Sequence, residues 1–76
     1  MEDQTKTLES FGEDAVGLSF NPGGNEKVDK VKKLYAEIID LLNNERDFGT
    51  DKGRLLTVAI TEAQTAQMWA VKGITK

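Results

Sequence analysis

The side chains with most chemistry to offer lie between Phe20 and Tyr35, and again at Arg54. Lys27, Lys30, Lys32 and Lys33 crowd the first two turns of a predicted helix. A helix N-terminus supplies unpaired N–H groups and a partial positive charge, so cations placed there suit a phosphate. Lys32 projects about 40° from Val28, at the margin of an apolar arc, which lets its stem follow an interface while the ammonium reaches a groove. Lys27 points to the same side at the helix mouth. Lys30 and Lys33 fit a solvated face shared with Glu26, Asp29 and Glu37. Ahead of the lysines stands Phe20, followed by Pro22, Gly23 and Gly24. Two roles suit it: a core plug closing the end of a hairpin, or a platform on which a base stacks for roughly 1–3 kcal/mol. Arg54, at the mouth of the last predicted helix, either pairs with a carboxylate or grips phosphate bidentately. Thr57, Thr61 and Thr65 add hydroxyls, although Thr inside a helix commonly bonds its own backbone.

None of this amounts to a catalytic set. The chain has no His and no Cys, which removes a zinc site, a disulfide framework and a Cys or His nucleophile. It has no Gly-x-Ser-x-Gly elbow and no Gly-Lys-Ser/Thr phosphate loop, and its carboxylates are spread along helix faces and the N-terminal segment. A binding protein is expected, not an enzyme, with no metal and no cofactor. The formal net charge of −3 argues against DNA or RNA polymers, whose binders carry a basic balance. The polar start MEDQTKTLES lacks a signal peptide's apolar core, and no run approaches the 18 or so apolar residues of a membrane span. A soluble, intracellular protein is expected.

Three helices would position these groups, in one all-α domain over residues 1–76. Residues 1–7 read as a flexible tail. Leu8, Phe11, Ala15 and Leu18 have helical spacing and predict a short helix over 7–17. Asn25 is a good N-cap, with Glu26 in the first turn where a negative charge suits the dipole. From Glu26 to about Asn43, Val28, Val31, Leu34, Tyr35, Ile38, Ile39, Leu41 and Leu42 fall within an arc of roughly 160°. Opposite lie Asp29, Lys33, Glu37 and Asp40, with favourable pairs at i,i+4. NNERDFGTDKG, Asn43–Gly53, is a polar connection, and the third helix starts near Asp51–Arg54. That length makes the second and third helices antiparallel neighbours.

From Leu55 to Val71 the only formal charge is Glu62. A helix apolar or small nearly all round is buried on several sides, yet a domain of 76 residues buries only roughly 60% of its unfolded surface. Oligomerisation is the expected remedy. Ala59, Ala63, Ala66 and Ala70, with Met68 and Trp69, are the residues expected at contacts between protomers.

FNPGGNEKVDKVKKLYAEIIDLL, a polar loop and then RLLTVAITEAQTAQMWAVKGI together resemble the small bacteriophage anti-CBASS sponges, which sequester the cyclic oligonucleotides of bacterial antiphage signalling. The resemblance spans about residues 20–76 and is most specific at Arg54, at Ile60-Thr61-Glu62-Ala63-Gln64-Thr65, at Met68 and at Lys72. It implies a compact helical homohexamer in the cytoplasm of the infected bacterial host. That assembly would bind cyclic dinucleotides such as cyclic GMP-AMP, and cyclic trinucleotides at separate pores, without membrane contact and without chemistry. Residue by residue, it implies that Phe20 stacks on bases and Lys32 meets phosphates, with Lys27, Lys33 and Tyr35 around them. Arg54, with Thr57 and Thr61, would serve the trinucleotide. Two features depart from the family pattern. Its aromatic is often Tyr, and the Phe20–Lys32 spacing differs, which leaves Lys33 or Tyr35 as alternatives. A different class of function also fits: a helical interaction protein that inhibits a host protein through an apolar helix face.

Overall fold

The computed structural model describes residues 9–76, which form three helices and no strand: α1 (Phe11–Val16), α2 (Glu26–Glu45) and α3 (Asp51–Ile74). The expected tail over residues 1–7, and the expected helical position of Leu8, lie outside the described residues. The long helices pair as a hairpin, and α1 folds back onto α2 while touching α3 only slightly. Val16, Ala36, Ile39 and Ile60 make the core, with Ala15, Leu18, Tyr35, Leu42 and Ala63 packed around them.

The first helix starts later than residue 7 because Ser10 is its cap. Ser10 is extended, at φ −67° and ψ 165°. Its hydroxyl accepts from the Glu13 N–H, and its own N–H donates to the Glu13 carboxylate. That reciprocal box satisfies two otherwise orphaned donors. Gly17 then ends α1 in the left-handed region, at φ 62°, where a residue without Cβ carries no penalty. Gly12 sets how closely α1 seats: a Cβ there would collide with the Ala36 carbonyl of α2. Its N–H donates to the Asp40 carboxylate at 2.6 Å.

Asn25 caps α2, its side-chain oxygen accepting from the N–H groups of Lys27 and Val28 at 2.8 and 3.1 Å. Asn25→Ala should lower stability by about 1 kcal/mol, read as a fall of roughly 4–8 °C in melting temperature. α2 runs two residues beyond the expected Asn43, so the connection shortens to residues 46–50. Arg46 makes that possible. Its guanidinium lies 5.3 Å from the Phe11 ring centroid and 4.8 Å from that of Phe48, and donates to Asn43 at 2.6 Å and to Thr57 at 3.1 Å. Thr50 caps α3, and a Cβ on Gly53 would strike the Asp47 carbonyl.

The described part measures 40 × 40 × 12 Å. Its thinnest dimension matches the diameter of a single helix. Apolar faces are left uncovered as a result: Leu34, Ile38 and Leu41 on α2, and Leu55, Val58, Met68 and Trp69 on α3, are all exposed. The chain alone therefore buries one face of α3 and leaves others open, as expected of a chain too short to cover so apolar a helix by itself. The alanines do not form one free ridge either. Ala63 packs on the core, Ala59 and Ala70 are half-buried, and only Ala66 is exposed.

Candidate functional site

An antiparallel hairpin brings the end of α3 beside the start of α2, and a cleft of about 430 Å³ opens between them. One wall is Phe20, Asn21, Pro22, Gly23 and Asn25 with Val28 and Lys32; the other is Val71, Ile74, Thr75 and Lys76. Phe20 is 72% exposed, so it is not the core plug. Pro22 and the positive φ of Gly24, 62°, turn the chain beneath it. The Asn21 side chain pins that turn, donating to the Asn25 carbonyl at 2.9 Å and accepting from the Asn25 N–H at 3.2 Å.

Lys32 keeps its place at the margin of the apolar arc and lines the cleft, but it is more deeply buried than that position implies, only 5% exposed, because the turn after α1 folds over it. Its ammonium donates to the carbonyl oxygens of Gly17 and Phe20 at 3.0 and 2.5 Å and lies 5.6 Å from the Phe20 ring centroid. Among the described residues no carboxylate is within ion-pairing distance of it. A buried charge is costly without compensating partners, and here two carbonyl dipoles provide part of the compensation.

The other residues expected at this corner lie elsewhere. Lys27 is exposed outside the cleft, Lys33 pairs with Asp29 at 3.0 Å, and Tyr35 packs on the core. The helix mouth also offers fewer free donors than expected, since Asn25 occupies the N–H groups of Lys27 and Val28.

On α3, Arg54, Thr57 and Thr61 fall within about 60° of one another at 100° per residue. Arg54 is exposed and its guanidinium bonds the Asp51 carboxylate at 2.9 and 3.1 Å. Thr57 donates to the Gly53 carbonyl at 2.8 Å. Farther along α3, Thr65, Met68, Trp69 and Lys72 line a shallow basin of about 390 Å³, with the Lys72 ammonium 5.3 Å from the Trp69 ring centroid. Neither this basin nor the cleft at Phe20 is lined by Arg54, Thr57 or Thr61.

Sequence reasoning missed the far wall of the main cleft and the role of Arg46. The wall was reachable, because antiparallel pairing alone places Val71–Lys76 opposite Phe20. For Arg46 the only signal is a lone Phe two residues later in a polar loop. Among the described residues there is no cluster of three or more acidic, His or Cys side chains that could hold a metal, and no helix long and apolar enough to cross a membrane.

The described residues thus form a three-helix, all-α hairpin whose cleft is lined by both the buried Lys32 and the exposed Phe20 ring. The chain matches the family described as Acb2/Tad1, hairpin domain, over residues 13–75, and it belongs to that family, the anti-CBASS cyclic-oligonucleotide sponges. Family members are sponge-type binding proteins for cyclic nucleotides. Comparisons with curated proteins and with solved structures give no match.

Proposed function

We propose that this chain sequesters cyclic dinucleotides such as cyclic GMP-AMP in the cleft between Phe20 and Val71–Lys76, and cyclic trinucleotides at a site built around Arg54. It would act by holding the signal in the cytoplasm of an infected bacterial host, so that CBASS effectors are never activated. One observation supports this most: the buried Lys32 ammonium, without a carboxylate among the described residues, lines the same cleft as the exposed Phe20 ring. A phosphate supplies the missing charge and a base covers the ring. Such charge-assisted bonds contribute about 1.5–3 kcal/mol each.

Assembly follows from the uncovered stripes on α2 and α3, with a homohexamer as the proposed state. An isologous contact would present each cleft residue twice, which suits a near two-fold cyclic dinucleotide. Assembly would also bring several copies of Arg54, Thr57 and Thr61 around a pore, completing a site that one chain leaves open. Phosphate would there draw the Arg54 guanidinium away from Asp51, a surface pair of the kind worth at most about 1 kcal/mol.

Calorimetry with cyclic GMP-AMP and with a cyclic trinucleotide is the direct test. Heat with neither would overturn the proposal. Arg54→Ala should weaken the trinucleotide about tenfold and leave the dinucleotide within about twofold; equal losses would mean the two sites are misassigned. The 66% exposure of Trp69, with Met68 beside it, favours the second reading, a helical inhibitor of a host protein. Solution mass separates the two: six chains support the sponge, and a monomer with Trp69 free supports the inhibitor.

A further inference from the structure

The ring of Phe20 is mostly in solvent, so packing does not hold it. What is fixed is the turn that carries it, by hydrogen bonds on either side. Downstream, Asn21 is tied to Asn25 by two hydrogen bonds. Upstream, the Phe20 N–H donates to the Gly17 carbonyl at 2.9 Å, and the Leu18 N–H to Glu13 at 3.0 Å. Over this short turn sits the Lys32 ammonium, bonded to the carbonyls of both Gly17 and Phe20. We infer that Lys32 is a positioning residue for Phe20: its ammonium clamps the turn between α1 and the cleft and sets the aromatic ring in place before any ligand arrives.

An ammonium carries three N–H donors. Two are spent on the turn, which leaves one for an anion. A phosphate can therefore bind Lys32 without breaking the clamp, and the ring that stacks a base is held by the same cation that meets the phosphate. Charge recognition and stacking become one coupled unit. The consequence for affinity rests on the proposed ligand; the clamp itself does not.

Hydrogen exchange by NMR on ligand-free protein tests the clamp. In Lys32→Met, which keeps the apolar stem, exchange at the Leu18 and Phe20 amides should rise about tenfold or more, while the central amides of α2 and α3 stay within about threefold. Lys32→Arg, which restores a cation with several donors, should return those two amides to within about threefold of the parent. Unchanged exchange in Lys32→Met overturns the inference. So does a rise spread evenly over α2 and α3, which would assign Lys32 to general core support. The affinity arm is a double-mutant cycle with cyclic GMP-AMP: Lys32→Met should cost several-fold less in a Phe20→Ala background than in the parent. The same fold loss in both backgrounds would mean that Lys32 and Phe20 act independently on the ligand. Absence of any binding would overturn the proposed function and leave the exchange result standing.

Discussion

Replacing Lys32 with alanine is expected to lower the proposed affinity for cyclic GMP-AMP by about 100-fold, while a cyclic trinucleotide should lose less than about threefold. Two losses combine. The ligand phosphate would give up its proposed charge-assisted hydrogen bond to Lys32, worth about 1.5–3 kcal/mol. The carbonyls of Gly17 and Phe20 give up their common donor, so the turn carrying the ring loosens, and ordering it again on binding costs entropy. Arg54, the residue proposed for the trinucleotide, is on another helix and pairs with Asp51, which is why that ligand should be spared. Calorimetry with both ligands checks the ratio, with far-UV circular dichroism to establish that α2 and α3 persist. A loss of under fivefold for the dinucleotide would place the phosphate contact at another residue.

The second large effect is on stability and originates far from any charged ligand. A Cβ at Gly12 would collide with the carbonyl oxygen of Ala36 and lie 2.9 Å from both the Ala36 carbonyl carbon and the Asp40 carboxylate. The main obstruction is backbone, in the middle of the best-packed helix, and cannot rotate away. α1 must lift from α2, stretching the 2.6 Å bond from the Gly12 N–H to Asp40 and loosening Val16 in the core. Overpacking costs about 1–3 kcal/mol and a strained hydrogen bond to a charged group adds to it. Gly12→Ala is therefore expected to destabilise by roughly 3 kcal/mol, a drop of about 12–24 °C in melting temperature. Circular dichroism melts decide, with Gly73→Ala as the control, since a Cβ there meets nothing within 4 Å. A drop below about 4 °C would mean that α1 is not seated on α2 as described.

The helices were legible because local rules dominate them. Asn25 reads as a cap and is one, and the Asp29–Lys33 pair forms as its i,i+4 spacing dictates. The start of α1 was misplaced because apolar spacing through Leu8 outweighed Ser10 and Glu13, whose capping box signals a start at Phe11. For the site, residue type was informative and geometry was not. Phe20 and Lys32 do share a cleft. Yet angular position on a helical wheel put Lys32 at a rim, and no wheel records that a turn from another part of the chain closes over it. Lys33 and Tyr35 differ from Lys32 by one and three positions, and those steps suffice to send one to an ion pair and the other to the core. Arg46 shows the same limit: its neighbours Phe11 and Thr57 are distant in sequence, so nothing local could announce the contact.

The one-helix thickness of the chain has a thermodynamic corollary. With the interior reduced to a few side chains such as Ile39 and Ile60, much of the available apolar burial lies outside the isolated molecule. Whatever covers the open faces of α2 and α3 enters the folding equilibrium as a ligand of the native state. By mass action it stabilises by about 2.7 kcal/mol at a hundred times its dissociation constant. The melting temperature of this protein is then not a fixed property but a titration curve. Its dependence on the chain's own concentration, or on an added partner, identifies the occupant of those faces.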